Sequence, residues 1–145
     1  MPYKNLVITN TSPAQAAVQN KSHFYVGFST VNPKTPGNKL YDFELIKQDI
    51  INYFNTRPGE RVMKPEFGSV IWSLMFEPLT ETTRQLIQED ILKICNSDPR
   101  VYPSQVNVRE YDKGYMIELT LVTKASNQSS NLMMTFDQQN GLSAQ

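Results

Sequence analysis

Residues 101–124 read VYPSQVNVREYDKGYMIELTLVTK, and this stretch decides the fold class. In its second half Ile117, Leu119 and Leu121 point to one side, with polar residues between them. A period of two is typical of a β-strand that has one buried and one wet face. The residues DKG at 112–114 are suited to a tight turn. The sequence therefore predicts an antiparallel hairpin, with strands at residues 101–111 and 115–124.

A third strand is predicted at residues 131–137, after the loose turn SNQSSN. Leu132, Met134 and Phe136 alternate there with Met133 and Thr135. The remaining residues, DQQNGLSAQ, indicate no further element, so the far edge of this strand is expected to be unpaired. An unpaired edge can accept a strand from another chain. The alternative is a plain terminal strand that the N-terminal segment half covers.

Two helices precede the hairpin. Apolar residues recur at steps of three and four within residues 41–55, which predicts a helix that ends before Pro58. A second helix is predicted to begin at Thr80, whose hydroxyl can cap it, and to end near Asn96. The order of elements predicts an α+β domain, with two helices packed on a small antiparallel sheet of about three strands.

The chain divides into three parts on composition. Residues 1–39 are rich in proline and predict an extended N-terminal arm, residues 40–137 form the domain, and residues 138–145 are expected to be a flexible tail. The arm has one strand-like run whose aromatic residues are expected to pack on the domain or on a neighbouring subunit. These arm-contact residues are Phe24, Tyr25 and Phe28.

Composition excludes several classes of function. Lys plus Arg and Asp plus Glu both number 14, so no net charge favours nucleic acid or a membrane surface. The first residues, MPYKNLVITN, show neither a leader peptide nor a membrane anchor. His23 is the only histidine and Cys95 the only cysteine, which excludes clusters of these metal ligands. Cys95 is expected in the core, and no metal or cofactor is predicted.

The loop at residues 55–69, NTRPGERVMKPEFGS, raises the question of catalysis. Glu60, Glu66 and Glu77 could supply the two carboxylates of a glycosidase, but sequence spacing sets neither their separation nor a pocket around one of them. A structural loop uses the same residues better, because its prolines and glycines can fix a compact shape. Trp72 and Met75, which follow it, either complete the core or face a partner.

A second irregular stretch, NSDPRVYP at residues 96–103, joins the second helix to the hairpin. Pro99 stiffens the backbone and keeps Asp98 out of a helical conformation, so Arg100 is carried on a rigid elbow. Its guanidinium can bind a partner's carboxylates in a forked geometry. The alternative is a local pair between Arg100 and Asp98 or a carbonyl at the helix end.

These motifs together resemble a known family. The residues TRPGERVMKPEFGSVIWSLMFEPLTETT at 56–83, followed by DPRV at 98–101 and VNV at 106–108, are similar to the baseplate wedge proteins of contractile-tailed phages. This sheath initiator family, also called lysozyme-like, is shared with contractile secretion systems. The arm residues FYVGFSTVN resemble versions from large contractile-tailed phages. In the family the elbow reads Glu-Pro-Arg, so Asp98 is one methylene shorter here.

The resemblance implies a structural, non-enzymatic virion protein of the tail baseplate, assembled in the host cytoplasm. It implies docking on the wedge core through Asp98, Pro99 and Arg100, with Arg61 of the loop nearby. It also implies strand addition by the first ring of sheath subunits, and the expected strand consists of Leu132, Met133, Met134, Thr135 and Phe136. The expected partners are other wedge proteins, the tail sheath and, as a further candidate, the tail tube, with several copies in each ring. A peptidoglycan-cleaving tail enzyme is the competing function.

Overall fold

The computed structural model describes residues 23–29 and 39–145. Its elements in chain order are β1 (Val26–Phe28), β2 (Lys39–Tyr41), α1 (Asp42–Asn55), α2 (Ile71–Leu74), α3 (Glu81–Ser97), β3 (Val101–Tyr111), β4 (Gly114–Thr123), β5 (Ser129–Asp137) and β6 (Gly141–Ala144). None of the helices in these ranges is long and apolar enough to cross a bilayer.

The main sheet is antiparallel and has the strand order β3-β4-β5-β6. The predicted hairpin is confirmed, because β3 and β4 are joined by Asp112 and Lys113 and pair from Tyr111 and Gly114 onward. The predicted third strand is confirmed as β5, which pairs with β4 along its length. The sheet nevertheless has four strands where the sequence predicts about three, and the short helix α2 was not predicted.

The fourth strand corrects two expectations about the C-terminus. Residues 138–145 were expected to form a tail, but β6 within them pairs with β5. The Met133 N–H donates to the Gln145 carbonyl at 3.0 Å, and the Gln145 N–H donates to the Met133 carbonyl at 2.8 Å. The Asp137 carboxylate accepts N–H groups of the turn from Gln139 at 2.7 Å and Asn140 at 3.3 Å, which helps the chain to reverse.

The prediction that the edge from Leu132 to Phe136 is free is therefore wrong. In an antiparallel strand alternate residues bond to opposite neighbours. Since the backbone of Met133 bonds to β6, the backbone N–H and C=O groups of Thr135 also point toward β6. Those of Leu132, Met134 and Phe136 point toward β4. The backbone of β5 is paired on both sides within one molecule, so a foreign strand cannot pair with it unless β6 leaves.

One hydrophobic cluster joins the helices to one face of the sheet. Its fully buried helical members include Ile46, Ile50, Phe54, Ile87, Ile91 and Ile94. Ile117, Leu119 and Leu121 are buried from β4, as their alternation predicts. Each large side chain buried in this way contributes roughly 1.5–3 kcal/mol. Cys95 is also buried, and burial raises its thiol pKa to about 12, which fits the predicted core role.

Both predicted helices are confirmed within about a turn at each end. The Thr80 hydroxyl accepts the N–H of Thr83 at 3.2 Å, which confirms the predicted cap of α3. Asp42 begins α1 in a left-handed conformation with φ +45°, a position that the helical pattern does not reveal. The α+β class is thus established by the element content, with the helices preceding the main sheet in the chain.

In the described part of the predicted arm, β1 pairs with β2, which begins at the last arm residue, Lys39, and leads into α1; we call this strand pair the arm hairpin. The Asp42 carboxylate accepts the N–H groups of Phe24 at 2.7 Å and Tyr25 at 2.9 Å, and it lies 3.0 Å from His23 Nδ1. Burial alone would raise the pKa of the Asp42 carboxyl, but these hydrogen bonds outweigh it and the pKa lies below its ordinary value. This carboxylate therefore holds the hairpin at the start of α1.

The arm-contact residues differ in their surroundings. Tyr25 is half-buried against the core, which fits the expected contact with the domain. Phe24 and Phe28 remain 62% and 65% exposed, so their contact with a neighbouring subunit stays a prediction. The rest of the predicted arm, residues 1–22 and 30–38, lies outside the described residues.

Candidate docking surfaces

The loop between α1 and α2 is closed by its own backbone. The Ser69 N–H donates to the Thr56 carbonyl at 2.9 Å, so the two ends of the loop meet. Within the loop the Gly59 N–H donates to the Pro65 carbonyl at 2.9 Å. Gly68 has φ +131°, and a Cβ there would lie 2.6 Å from the Arg57 carbonyl carbon. The predicted compact loop is confirmed by these backbone bonds. Where its two ends cross, position 68 has space only for glycine.

A buried polar contact fastens this loop to α3. The Ser69 hydroxyl donates to Asp90 Oδ2 at 2.7 Å, and the Val70 N–H donates to the same oxygen at 3.0 Å. Burial raises the pKa of the Asp90 carboxyl above its usual value, although both hydrogen bonds act in the opposite direction. The loop is thus fixed relative to α1 by backbone bonds and relative to α3 by Asp90.

Aromatic side chains of the loop and of α1 pack against each other. The rings of Tyr53 and Phe67 lie 3.8 Å apart, and the Arg61 guanidinium lies 4.0 Å from the Phe67 ring. Trp72 is half-buried and donates from Nε1 to the Phe54 carbonyl at 2.7 Å, and Met75 is buried. The core alternative for Trp72 and Met75 is therefore confirmed.

The loop and the elbow line one cleft of about 510 Å³, which we call the elbow cleft. Every residue that the sequence predicts for wedge docking lies along it, namely Asp98, Pro99, Arg100 and Arg61. Lys64 and Glu66 of the loop and Asp49 of α1 also line it. Arg61 of the loop and Asp98 of the elbow are far apart in the chain. They line one cleft because the loop is anchored to both α1 and α3.

Arg100 is used inside the molecule. Its Nε and Nη2 atoms bond to the two carboxylate oxygens of Asp98 at 2.9 and 2.6 Å, and Nη2 also lies 2.7 Å from Asp49 Oδ2. Its guanidinium lies 5.6 Å from the ring of Tyr25. The local-pair alternative is therefore confirmed, and Arg100 additionally connects the elbow with α1 and the arm hairpin. These contacts orient the walls of the elbow cleft.

The ionisation of this pair follows from the contacts. Hydrogen bonding to Asp98, aided by Asp49, raises the pKa of the Arg100 guanidinium. Burial alone would raise the pKa of the Asp98 carboxyl, but hydrogen bonds from Arg100 bring it below its ordinary value. The stabilisation that Asp98 provides is present at neutral pH and is lost as the pH falls through its folded-state pKa.

We expect Arg100→Ala to lower the free energy of unfolding by about 2–3 kcal/mol, because it removes charged hydrogen bonds and leaves Asp98 unpaired. This exceeds the roughly 0.5 kcal/mol expected for an exposed arginine. The control is Arg109→Ala, whose side chain is 67% exposed and lies 3.5 Å from Glu118, and it should cost less than about 0.5 kcal/mol. Urea unfolding measures both variants, and equal losses would contradict the anchoring role of Arg100.

The second candidate surface is the open side of β6. Because the Met133–Gln145 pair exchanges both backbone bonds, the N–H groups of Leu142 and Ala144 point away from β5. In the described chain no strand pairs with this outer side. A groove of about 500 Å³ lies beside it, which we call the edge groove. Its apolar lining includes Leu40, Ile51, Leu142 and Ala144, and its polar lining includes Glu44 and Lys47.

Residues 42–128 match the family model of the baseplate wedge protein gp25. The match spans more than half of the chain. The chain belongs to this family. The resemblance found in the loop and elbow motifs is thus confirmed, and both candidate surfaces involve the matched region, since the elbow cleft lies within it and the edge groove adjoins it.

Solved structures of baseplate proteins share the fold. The chain is 24% identical to a chain of the pyocin R2 baseplate after contraction, with a TM-score of 0.59, and the match covers 69% of this chain and 99% of that one. A chain of the anti-feeding prophage baseplate gives 23% identity and a TM-score of 0.53, with coverage of 68% and 80%. At these identities the two matches show the fold alone.

A crystal structure of a candidate tail lysozyme from Geobacter sulfurreducens also matches. The identity is 26% and the TM-score is 0.56, and the match covers 62% of this chain and 85% of that one. A comparison with curated proteins gives no match.

The glutamates considered for catalysis are all exposed in this member of the wedge family. Glu60 accepts the Arg57 N–H at 2.9 Å, a bond within the loop, and Glu66 lines the elbow cleft. Glu77 follows α2 in the chain, outside the loop. A general acid needs an apolar pocket that keeps it protonated, and none of the three is buried in one. Residues 23–29 and 39–145 contain no group of acidic, histidine or cysteine side chains that could hold a metal ion.

Three features of this wedge protein escape sequence reasoning. Asp42 holds the arm hairpin, Asp90 holds the loop and Asp49 completes the contacts of Arg100. Each aspartate binds a partner 17 or more positions away, so no local pattern identifies that partner. One signal was available for Asp90, since it falls on the apolar stripe of α3 next to Ile91. A charged residue on a buried stripe predicts a polar partner.

Proposed function

We propose that this chain is a structural baseplate wedge subunit of a contractile tail, which docks on the wedge core and starts assembly of the sheath. The observation that carries the proposal is the outer edge of β6, with which no strand of residues 23–29 or 39–145 pairs, beside the apolar edge groove. The family match supports the location in the virion baseplate, with assembly in the host cytoplasm. The proposed neighbours are other wedge proteins, the first ring of sheath subunits and the tail tube, with several copies of the chain in each ring.

The elbow cleft is the proposed wedge contact. Asp98 and Arg100 are paired with each other, so they contribute by holding the elbow in shape, and Pro99 stiffens it. Arg61 and Glu66 line the same cleft and are exposed. A wedge segment that enters the cleft would therefore contact the loop side chains directly and the elbow mainly through its shape. This assigns different roles to Arg61 and Arg100, although both lie at one surface.

The sheath contact is proposed at β6, which replaces the excluded edge of β5. A strand added beside β6 would pair with the N–H and C=O groups of Leu142 and Ala144. Alternate side chains of that strand would enter the edge groove and bury its apolar lining. Main-chain pairing supplies affinity, and the groove supplies the register. A sheath subunit positioned in this way would set the orientation of the first ring.

A non-enzymatic role agrees with the exposed glutamates. The only specific support for the competing peptidoglycan-cleaving function is the similarity to the Geobacter sulfurreducens candidate tail lysozyme. A retaining or inverting glycosidase needs one acid in an apolar pocket and a second carboxylate at a set distance. Glu66 lines the elbow cleft but is exposed, so no apolar pocket surrounds its carboxyl.

The proposal is tested by assembling tails without this subunit and by assaying the purified protein on cell walls. We expect tails with tubes but without sheath, which the wild-type protein restores. The purified protein should leave the turbidity of a wall suspension unchanged, as should Glu60→Gln and Glu66→Gln. Sheath of normal length in the absence of the subunit would refute the initiator role. Clearing of the walls that either substitution abolishes would support the enzyme instead.

A further inference from the structure

The tip of the loop, residues 61–64, carries two apolar side chains that are almost fully exposed. Val62 and Met63 are each 94% exposed, the highest values among the exposed large apolar residues of the described chain. Single exposed apolar residues are ordinary on protein surfaces. Two adjacent ones at the end of a fixed loop are less so, because other side chains of this loop, such as Phe67 and Ser69, pack or form hydrogen bonds within the molecule.

The loop is rigid up to the tip. The Glu60 carboxylate accepts the Arg57 N–H at 2.9 Å, and the Lys64 N–H donates to the Arg61 carbonyl at 3.2 Å across the tip itself. Phe67 stacks on Tyr53 just behind it. The backbone that carries Val62 and Met63 is therefore ordered before any partner binds. Binding through a preorganised segment avoids much of the entropy loss that a mobile loop would incur.

The charges beside the tip are positive and without acidic partners in the described chain. Arg61 and Lys64 flank the two apolar residues, and neither forms an ion pair with a carboxylate of residues 23–29 or 39–145. Both line the elbow cleft, so the tip is continuous with the surface proposed for wedge docking. A surface complementary to this tip would therefore have an apolar pocket with carboxylates at its rim.

We propose that Val62 and Met63 are the hydrophobic anchor of the wedge contact and enter an apolar, acid-rimmed pocket on a neighbouring wedge subunit. Arg61 and Lys64 then face the carboxylates at the rim of that pocket. This inference rests on the proposed wedge docking and adds the residues that supply most of its affinity. It also explains why the tip of a loop that its own backbone holds closed carries exposed apolar side chains.

The test measures binding of the purified full chain to a wedge subcomplex assembled without it. We expect Val62→Ser combined with Met63→Ser to weaken binding by at least about 30-fold, since two apolar side chains lose their burial. The melting temperature should not change, because neither side chain packs in the free protein. The matched control is Phe76→Ser, which removes an apolar side chain that is 78% exposed outside the loop, and it should bind like the wild type.

A second pair of variants tests the rim charges. Lys64→Glu should weaken binding several-fold at low salt, with a smaller difference at high salt, whereas Lys113→Glu in the β3–β4 turn should have no effect. Wild-type affinity in the Val62→Ser, Met63→Ser double variant would overturn the anchor while leaving wedge docking intact. Failure of the wild-type protein to bind the subcomplex would instead overturn wedge docking and the anchor with it.

Discussion

The variant Gly68→Ala is expected to lose a large part of the stability of the fold. A Cβ at this position would lie 2.6 Å from the Arg57 carbonyl carbon and 2.7 Å from both Pro58 N and the Thr56 carbonyl oxygen. These are backbone atoms just after the end of α1, so they cannot move aside as a flexible side chain would. The conformation is also unfavourable, because φ is +131°.

Relief of this clash requires the ends of the loop to separate. Separation breaks the bond from the Ser69 N–H to Thr56 and draws Ser69 away from Asp90, whose carboxylate would remain buried without its partner. The summed cost is about 4 kcal/mol or more, a large part of the roughly 5–15 kcal/mol that stabilises a domain. We expect the thermal midpoint to fall by more than about 10 °C in calorimetry or circular dichroism.

Gly59→Ala provides the matched control in the same loop. Gly59 also has a positive φ, +87°, but a Cβ there meets nothing within 4 Å. Its substitution should cost only about 1 kcal/mol, which is the strain of the backbone conformation without a clash. Equal melting temperatures for the two variants would show that the crossing of the loop ends is not as close as the structure has it.

The variant Ala144→Pro is expected to give baseplates with bare tubes. The Ala144 N–H points away from β5, so proline removes one of the two outward donors of β6 and leaves the Met133–Gln145 bonds in place. Proline is tolerated on an edge strand when the lost N–H faces away from the sheet. The protein should therefore fold and enter the baseplate, while the sheath strand loses a main-chain bond and meets the proline ring.

Electron microscopy of assembled tails measures the outcome, with Ala144→Val as the control. Valine keeps the N–H and favours a strand, so sheath of normal length is expected. Ser143→Pro removes an inward donor and should detach β6 from β5, which a lower melting temperature would reveal. If Ala144→Pro supports normal sheath, the incoming strand does not pair with the outer edge of β6. A strand that displaces β6 and pairs with β5 would give that result.

Elements fixed by neighbouring residues were predictable from the sequence, whereas contacts between distant residues were not. The β3–β4 hairpin was predictable because β4 has a clear alternation of apolar and polar residues and Asp112 and Lys113 mark the turn before it. The Thr80 cap was predictable because a hydroxyl bonds to a backbone N–H only three residues away. The strand β6 was not, since four residues, GLSA, are too few to show a period.

The sequence by itself determined the fold class, the family and the positions of the loop and elbow motifs. These depend on patterns among residues that are close together in the chain. Tertiary structure alone decided that β6 closes the edge of β5 and that Arg100 is held by Asp49, 51 positions away. It also decided that loop and elbow share one cleft. The physical reason is that a hydrogen bond or an ion pair depends on distance in space, and the packing of the whole core sets the distances between remote residues.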